Sequence, residues 1–248
     1  MIFVINENRP VAKEVFRMVL RAAIANEEVR LRPGQFVNIA VEGCYLRRPI
    51  SVCDWDARTQ TLTLLYKTVG TGTRALARCV PGTSLDLLTG LGNGYTPVEA
   101  RRPALLGGGV GTPPLYFLAK ELAGAGQKPV AVLGFNTKDE MFYHEEFATL
   151  CDVIVTTADG SYGQKGFVTD ALPGLAYDAL YVCGPEPMLQ AVFAQARALP
   201  AGHAQFSFER RMGCGFGACM VCSCKTTAGY KRICKDGPIL TKEEILWT

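Results

Sequence analysis

Cysteines are the residues of this sequence whose spacing points most directly to chemistry. Five of the ten lie between positions 214 and 234, in the run CGFGACMVCSCKTTAGYKRIC. Cys214, Cys219 and Cys222 form the pattern C-x4-C-x2-C, and Cys234 follows after a short polar segment. Such density in a chain whose start does not resemble a signal peptide favours bound metal over disulfide bonds. The other five are scattered singly: Cys44, Cys53, Cys79, Cys151 and Cys183.

The spacing of the clustered cysteines discriminates between two kinds of metal site. C-x4-C-x2-C with a distant fourth cysteine is the plant-type spacing for a [2Fe–2S] cluster, and the glycines between them let the backbone turn tightly around it. Structural zinc also takes four thiolates, but usually from two C-x2-C pairs, and only Cys219 and Cys222 form one. The sequence therefore predicts Cys214, Cys219, Cys222 and Cys234 as ligands of a [2Fe–2S] cluster, with zinc as the alternative. Cys224 is a fifth thiol, which an error of register would exchange with Cys222.

A second group of candidate residues lies earlier in the chain and could hold a phosphorylated flavin. Arg48 stands at the start of a predicted strand, where its guanidinium can pair with a pyrophosphate, and Ser51 can hydrogen-bond the edge of a flavin ring. Gly70-Thr71-Gly72-Thr73 opens a predicted helix, whose first backbone amides can bind phosphate. Each motif is weak when taken alone, because an Arg-Pro pair beside a turn and a glycine loop both recur by chance.

A glycine turn later in the chain predicts a dinucleotide site. Gly107-Gly108-Gly109-Val110-Gly111-Thr112 follows the predicted strand PALL and opens a helix, which is the context for a pyrophosphate at a helix N-terminus. After the next strand, Lys138 is the only basic residue nearby. Because the 2′-phosphate of NADPH needs basic partners, NADH is favoured.

Three segments must position these residues. Residues 1–98 contain short apolar runs separated by glycine turns, which predicts an antiparallel β-barrel. Residues 99–205 alternate strands with helices, which predicts a parallel, doubly wound α/β sheet. Residues 206–248 are rich in Cys, Gly and Lys and contain too few aliphatic residues to fold alone, so this tail is predicted to need a metal centre.

Composition excludes several classes of function. Charged residues make up 20% of the chain and the formal net charge is +3, values that argue against disorder and against binding to a nucleic-acid backbone. No run approaches the roughly 20 apolar residues of a membrane-spanning helix. We therefore expect a cytoplasmic protein that binds neither nucleic acid nor membrane.

The order of the motifs resembles the ferredoxin-NADP reductase superfamily over residues 1–205. The chain carries the motifs of that family in the same order. They are R-x-[YFIL]-S, a strand with Y-K, G-x-G-T, G-G-G-x-G-x-x-P, T-x-D-G-S-x-G and C-G-P-x-x-M. The resemblance implies a six-stranded FAD-binding barrel followed by an NAD(P)H-binding domain. The implied FAD-binding residues are Arg48, Pro49, Ile50, Ser51, Leu65, Tyr66, Lys67, Gly72 and Thr73. The implied NAD-binding residues are Gly108, Gly109, Gly111, Thr112, Asp159, Cys183, Gly184 and Met188.

The tail carries the most specific resemblance. CGxGAC-x2-C followed by YKR-x-CKDGP is similar to the electron-transfer subunits of class 1B dihydroorotate dehydrogenases, and this similarity spans the whole chain. It implies a partner catalytic subunit with FMN that oxidises dihydroorotate in pyrimidine biosynthesis, in a heterotetramer of two subunits of each kind. The cluster would pass electrons to FAD, and FAD would reduce NAD+. No base placed for substrate chemistry is visible in this chain, so no catalytic residue is predicted.

Two rival interpretations stay open. Flavin and iron–sulfur subunits of sulfide dehydrogenases, of ferredoxin-NADP transhydrogenases and of some hydrogenases share the implied architecture. Some of them replace one cluster cysteine by aspartate, whereas this chain keeps all four. The other rival is a non-catalytic binding protein whose tail is held together by zinc.

Overall fold

The first part of the chain forms a closed antiparallel barrel in a computed structural model that describes residues 1–24 and 29–247. Its strands are β1 (Ile2–Ala12), β2 (Val15–Ala22), β3 (Phe36–Ile39), β4 (Arg48–Asp56), β5 (Thr61–Lys67) and β6 (Ser84–Leu91). The strand order is β1-β2-β5-β4-β3-β6, which confirms the predicted six-stranded barrel. A short helix, α1 (Thr71–Ala77), lies between β5 and β6.

Alternation along the barrel strands separates an inner from an outer face. On β3, Val37 and Ile39 are fully buried in the barrel core, together with Leu62 and Leu64 of β5. Phe36 lies on the other side of β3 and belongs to a different core cluster, which contains residues of the parallel sheet and of the tail. Because successive side chains of a strand point to opposite faces, the outer face of β3 is also buried. Another part of the chain therefore covers this face.

The second part is a parallel sheet covered by helices on both faces. Its strands are β7 (Pro103–Gly108), β8 (Val130–Phe135), β9 (Asp152–Thr157), β10 (Gln164–Lys165), β11 (Ala179–Cys183) and β12 (Ala204–Ser207). These six follow the order β10-β9-β8-β7-β11-β12, and each neighbouring pair is parallel. The helices are α2 (Thr112–Gly124), α3 (His144–Ala148) and α4 (Glu186–Gln195).

Two apolar clusters show how the helices cover the sheet. Leu115 and Leu118 of α2 pack with Phe147 of α3 on one face. Leu189 and Val192 of α4 pack on the other. The predicted doubly wound architecture is confirmed. The carboxyl ends of β7, β8, β9 and β11 meet at one edge, where such folds bind their ligands.

The tail contains a hairpin and a strand that completes the sheet. The hairpin consists of β13 (Ser223–Thr226) and β14 (Gly229–Arg232), and β15 (Ile239–Thr241) pairs antiparallel with β12 as the seventh strand of the sheet. Ile233 and Leu240 are buried in the same core cluster as Phe206 of β12. The tail thus obtains part of its apolar contact from the neighbouring sheet, a contribution that sequence reasoning did not foresee. The domain boundaries after residues 98 and 205 stay predictions.

The barrel, sheet and tail meet around the segment that leaves β6. Asn93 donates from Nδ2 to the backbone oxygen of Ile239 at 2.8 Å, and its Oδ1 accepts from the backbone nitrogen of Ile239 at 3.1 Å. Tyr95 donates its hydroxyl hydrogen to the backbone oxygen of Val182 at 3.0 Å.

Within the described ranges, no helix combines the length and the apolar character needed to cross a membrane.

Candidate functional site

The four predicted cluster cysteines are brought together as two pairs. Cys214 Sγ accepts hydrogen bonds from the backbone nitrogens of Ala218, at 3.2 Å, and Cys219, at 3.4 Å. Cys219 Sγ in turn accepts from the backbone nitrogen of Cys214 at 3.3 Å. Cys222 Sγ and Cys234 Sγ lie 3.2 Å apart, although the two residues are far apart in sequence. Such backbone donors tune the sulfur ligands of an iron–sulfur cluster.

This pairing fits a two-iron cluster better than a zinc ion. Zinc needs four ligands around one point, whereas in a [2Fe–2S] cluster each of two iron atoms takes two protein ligands. Two pairs of cysteine thiols, Cys214 with Cys219 and Cys222 with Cys234, are a donor set that suits the predicted group.

The electrostatics of the two pairs differ. Burial raises the pKa of Cys214, but hydrogen bonds from the backbone of Cys219, Phe216 and Ala218 outweigh it and lower this pKa to about 6. Burial and the adjacent Cys222 sulfur raise the pKa of Cys234 to about 12. The backbone of the first loop thus favours the thiolate form, in which cysteine binds metal.

Glycines allow the first cluster loop, from Cys214 to Cys219, to turn tightly. Gly215 and Gly217 have φ of 81° and 93°, in the region that side chains disfavour. A Cβ on Gly215 would lie 2.3 Å from Asn38 Nδ2, so the loop lies directly against β3 of the barrel. Asn38 Nδ2 donates to the backbone oxygen of Cys214 at 3.2 Å. The tail therefore covers the outer face of β3, beside the first cluster cysteine.

Cys224 differs from the four predicted ligands in its hydrogen bonds. It is on β13, opposite Lys231 of β14, and its Sγ contacts the backbone oxygen of Lys225 at 3.6 Å. It also contributes to the raised pKa of Arg210, after the larger effect of Glu186. The geometry supports Cys222 rather than Cys224 as the third ligand.

The predicted FAD residues come together from β4, β5 and α1. Arg48, Pro49, Ile50 and Ser51 form the start of β4, and this segment pairs with β3. The Arg48 guanidinium lies over the first turn of α1, since a Cβ on Gly72 would lie 2.1 Å from Arg48 Nε. Thr73 Oγ1 accepts from the backbone nitrogens of Val69 and Gly70, at 3.0 and 3.1 Å. Arg48 and the glycine turn therefore lie next to each other, as a pyrophosphate site requires.

The three candidates on β5 point in different directions. Tyr66 lies inside the barrel, stacked on Phe16 at 5.9 Å, with its hydroxyl donating to Asn8 Oδ1 at 2.9 Å, and burial raises its pKa. Leu65 faces the sheet and Lys67 faces the cleft beside it. Because the Tyr66 ring is buried in the core, only its backbone is left to contact a flavin.

A cavity of about 530 Å³ opens at the carboxyl ends of the parallel strands. Five of the predicted NAD residues line it: Gly108, Gly109, Gly111, Gly184 and Met188. Thr112 and Cys183 are buried beside it. The Asp159 side chain lies in a turn outside the lining, where it accepts from Ser161 N at 2.9 Å and from Ser161 Oγ at 2.6 Å.

Two features describe the wall of this cavity. A Cβ on Gly111 would lie 2.3 Å from the backbone oxygen of Cys183, so the turns after β7 and β11 touch through their backbones. The hydroxyl oxygens of Thr112 and Thr156 are buried without a hydrogen-bond partner among the described residues. Buried polar atoms normally have partners, and a bound ligand would supply them here.

Several cavity residues were missed from the sequence. Glu209 follows β12 and lines the cavity, where desolvation raises its pKa. Cys183 also has a raised pKa, about 12, chiefly through burial and further through the negative charge of Glu209. Phe167 and Thr156 line the opposite side. An acidic residue just after a strand was the one available signal for Glu209, and it is too common to be specific.

Comparisons with known proteins bear on the cluster and on the dinucleotide cavity. A family model described as the iron-sulfur cluster binding domain of dihydroorotate dehydrogenase B matches residues 209–246. A second, the oxidoreductase NAD-binding domain, matches residues 105–193. The predicted cofactor types of the tail and of the α/β domain are confirmed by these matches.

Relatives cover nearly the whole chain. The dihydroorotate dehydrogenase B (NAD(+)) electron transfer subunit of Geobacillus sp. (strain WCH70) is 41% identical over 251 residues, which cover 96% of this chain and 95% of that protein. The subunit of the same name from Bacillus caldolyticus is 43% identical over 250 residues, with the same two coverages.

Solved structures share the fold. The structure of an NADH-dependent reduced ferredoxin-NADP oxidoreductase, described in connection with flavin-based electron bifurcation, has a TM-score of 0.88 and 32% identity. The match covers 99% of this chain and 90% of that one. The structure of phthalate dioxygenase reductase has 16% identity and a TM-score of 0.70. That match covers 85% of this chain and 69% of the reductase chain. At that identity the second match shows the fold alone.

Proposed function

This chain belongs to the family of electron transfer subunits of dihydroorotate dehydrogenase B (NAD(+)), and we propose that it conveys electrons from a dihydroorotate-oxidising partner subunit to NAD+. One observation supports this role above the others. The loop of Cys214 packs on β3, the strand that pairs with the proposed FAD-binding start of β4. The dinucleotide cavity opens beside the barrel at Val15 and Lys67. The three sites are contiguous, in the order that electrons need.

The cofactors supply the electron chemistry, since FAD exchanges electron pairs with a nicotinamide and an iron–sulfur cluster transfers single electrons. The chain binds and orients these groups. Arg48 and the Gly72 turn would hold the flavin pyrophosphate, and Ser51 would hydrogen-bond the ring edge. Gly108, Gly109 and Gly111 let the nicotinamide dinucleotide approach the backbone at the start of α2. Cys214, Cys219, Cys222 and Cys234 bind the cluster. These assignments are part of the proposal.

Cys183 and Glu209 complete the nicotinamide side of the cavity in this proposal. Cys183 is buried and its raised pKa keeps the thiol neutral. A neutral thiol places no charge beside the proposed nicotinamide site. Glu209 stands at the open side, where it can bind the polar edge of the dinucleotide.

The surface around Cys219 is suited to the partner subunit. Phe216, Met220 and Val221 have exposed fractions of 55%, 55% and 59%, and Cys219 itself is exposed. Cys222 and Cys234, by contrast, are each only 2% exposed. An apolar patch beside the exposed end of a redox centre is typical of a docking site for an electron-transfer partner. We propose that an FMN-containing catalytic subunit docks here, in a complex with two copies of each subunit.

The proposal includes a cytoplasmic location, because unpaired cysteines and an iron–sulfur centre suit a reducing compartment. Three units, residues 1–98, 99–205 and 206–248, would hold FAD, NAD and the cluster respectively. NADH is preferred over NADPH because the turn after β8 offers one basic residue, Lys138, beside the acidic Asp139 and Glu140.

The deciding experiment is co-purification with the catalytic subunit, followed by an assay of dihydroorotate-dependent NAD+ reduction. The proposal requires orotate and NADH to form in equal amounts. A stable complex that forms neither product would overturn it.

A second function has its own supporting observation. The similarity to the ferredoxin-NADP oxidoreductase structure spans 99% of this chain. Reduced ferredoxin should therefore be tested as the electron donor in the same assay. NADH formation from reduced ferredoxin, without activity on dihydroorotate, would assign the chain to that kind of complex.

A further inference from the structure

Among the described residues, Asn38 is the one barrel side chain that hydrogen-bonds the backbone of a proposed cluster cysteine. It lies on the outer face of β3, is 2% exposed, and donates from Nδ2 to the backbone oxygen of Cys214 at 3.2 Å. Its partner across the strand pair is Pro49, which lies among the proposed FAD residues. Paired residues of antiparallel strands share a face. Asn38 therefore lies between the cluster loop and the flavin-binding segment.

The Asn38 side chain is tightly packed against the Cys214 loop, and its backbone is held by hydrogen bonds. Gly215 leaves no space for a side chain above the amide, because its Cβ would lie 2.3 Å from Nδ2 and 3.2 Å from Cγ of Asn38. Below it, the backbone oxygen of Asn38 accepts from Arg47, whose guanidinium also binds the backbone oxygen of Asp86 at 2.9 Å. β3 is thereby tied to its neighbours on both edges. A rigid strand is the better support for a site that needs fixed geometry.

Stability alone does not explain an asparagine here. Its Oδ1 is buried and has no hydrogen-bond partner among the described residues. An unpaired buried oxygen costs free energy, and an apolar residue of similar shape would avoid that cost. The hydrogen bond from its nitrogen to Cys214 is a role that an apolar residue could not fill.

We propose that Asn38 is a positioning residue that holds the first cluster loop at a fixed place on the flavin-binding face. By donating to the Cys214 carbonyl it fixes the orientation of the Cys214 and Cys219 pair and withdraws negative charge from beside the cluster. Both effects favour rapid electron transfer between flavin and cluster and a higher cluster potential. This inference rests on the proposed assignment of the flavin and cluster sites.

The test uses the full chain loaded with FAD and cluster, without the partner subunit. Asn38→Ala removes the donor, and Asn38→Asp keeps the shape but places a carboxylate against the Cys214 carbonyl. We expect the midpoint potential of the cluster to fall in the first variant and to fall further in the second. The electron paramagnetic resonance signal should broaden in both, and the flavin-to-cluster rate should drop about 10-fold, as for other residues that orient metal ligands.

Asn93→Ala is the matched control. Asn93 also hydrogen-bonds the tail, at Ile239 and, more weakly at 3.4 Å, at the backbone oxygen of Asp236, but at no cluster cysteine among the described residues. Its variant should lower thermal stability while the potential and the resonance signal stay those of the wild type. Equal shifts in the Asn38 and Asn93 variants would show that Asn38 merely anchors the tail, and unchanged potentials in both Asn38 variants would equally overturn the proposal.

A third measurement uses the close contact between Asn38 and Gly215. Gly215→Ala pushes its new methyl group against Asn38 and strains the backbone at a φ of 81°, and Asn38→Ala removes the clash but not the strain. The double variant should therefore shift the potential by less than the sum of the two single shifts, because contacting residues are not additive. Simple additivity would contradict the proposal. A wild-type chain without any [2Fe–2S] signal would instead contradict the proposed function.

Discussion

Cys219 is the exposed member of the four proposed cluster ligands, and it lies among the apolar residues Phe216, Met220 and Val221. Cys222 and Cys234 lie in the core that the tail shares with the sheet. The cluster would therefore have one buried and one accessible edge. In the proposed complex, the Cys219 side of the cluster would face the partner subunit.

Cys219→Ser should abolish transfer between the subunits while NADH still reduces the bound FAD. The loss should be about 100-fold or more, because an incomplete thiolate set does not retain the cluster. Acid-labile sulfide content and a stopped-flow assay of flavin reduction measure the two effects separately. Cys224→Ser is the matched control and should keep full cluster content. Loss of flavin reduction in the Cys219 variant would show that the cluster also holds the FAD domain together.

The turns after β7 and β11 form one element of the nucleotide cavity, because they touch through their backbones. A Cβ on Gly111 would lie 2.3 Å from the Cys183 backbone oxygen and 2.6 Å from the Gly184 nitrogen. Backbone atoms cannot move aside as a flexible side chain can. The spacing of these two turns thus depends on the absence of a side chain at position 111.

Gly111→Ala should weaken NADH binding about 10-fold or more by separating the two turns, since small displacements in such a site are costly. Gly124→Ala, at the end of α2, is the control, since a Cβ there meets nothing within 4 Å. That variant should bind NADH normally and be slightly more stable, as alanine favours the helix. Isothermal titration of NADH compares the two. Equal binding by both variants would contradict the close contact.

The linker between barrel and sheet is a second element with a measurable role. The Asp178 carboxylate accepts hydrogen bonds from the backbone nitrogens of Arg101 and Arg102, at 2.8 and 2.9 Å. Desolvation raises its pKa, but these hydrogen bonds outweigh it and the net pKa is lowered. The ionised carboxylate therefore stabilises the folded linker.

Asp178→Ala should destabilise the protein by about 1 kcal/mol at neutral pH, the usual value for such hydrogen bonds. A depressed folded-state pKa means that the stabilisation is complete above the unfolded pKa of about 4 and is lost as pH falls through the lower folded value. The difference between wild type and variant should thus shrink in acid. Urea unfolding at neutral and acidic pH measures this difference in the free energy of unfolding. A difference that stays constant with pH would argue against a role for the charge.

At the scale of the whole molecule, the tail is the link between the two larger parts. β15 extends the sheet, Asn93 binds β15, and Asn38 of the barrel binds the loop of Cys214. Folding of the tail onto both neighbours brings the cluster to the flavin side. Its remaining free surface carries the apolar patch.

Val221→Glu should weaken binding of the catalytic subunit about 10-fold or more, because a charge in the centre of an apolar contact must be desolvated. Cluster content should not change, since Val221 is exposed. Val80→Glu is the matched control, at a similarly exposed valine in the barrel loop between α1 and β6. Surface plasmon resonance with immobilised catalytic subunit compares the two. Equal affinities would place the interface elsewhere.

The sequence alone determined the architecture and the kinds of cofactor. Apolar alternation predicted the strands, the glycine turns predicted phosphate-binding helix starts, and C-x4-C-x2-C predicted the cluster. The six-stranded FAD barrel was implied by the resemblance in motif order, because each flavin motif is weak alone. Gly108, Gly109 and Gly111 line the cavity as their position after β7 indicated. Arg48 and Gly72 meet because both are at the ends of neighbouring barrel elements.

Tertiary structure alone decided which long-range neighbours these residues have. The pairing of Cys222 with Cys234, the inward direction of Tyr66, the position of Asp159 outside the cavity and the contact of Asn38 with Cys214 all depend on strand register and packing between distant segments. A shift of one residue in strand register would turn Tyr66 and Asn38 to the opposite faces of β5 and β3. For this reason the spacing of the cysteines predicted a cluster, but only the folded chain showed how its loop is held against β3, the strand that pairs with the proposed flavin-binding segment.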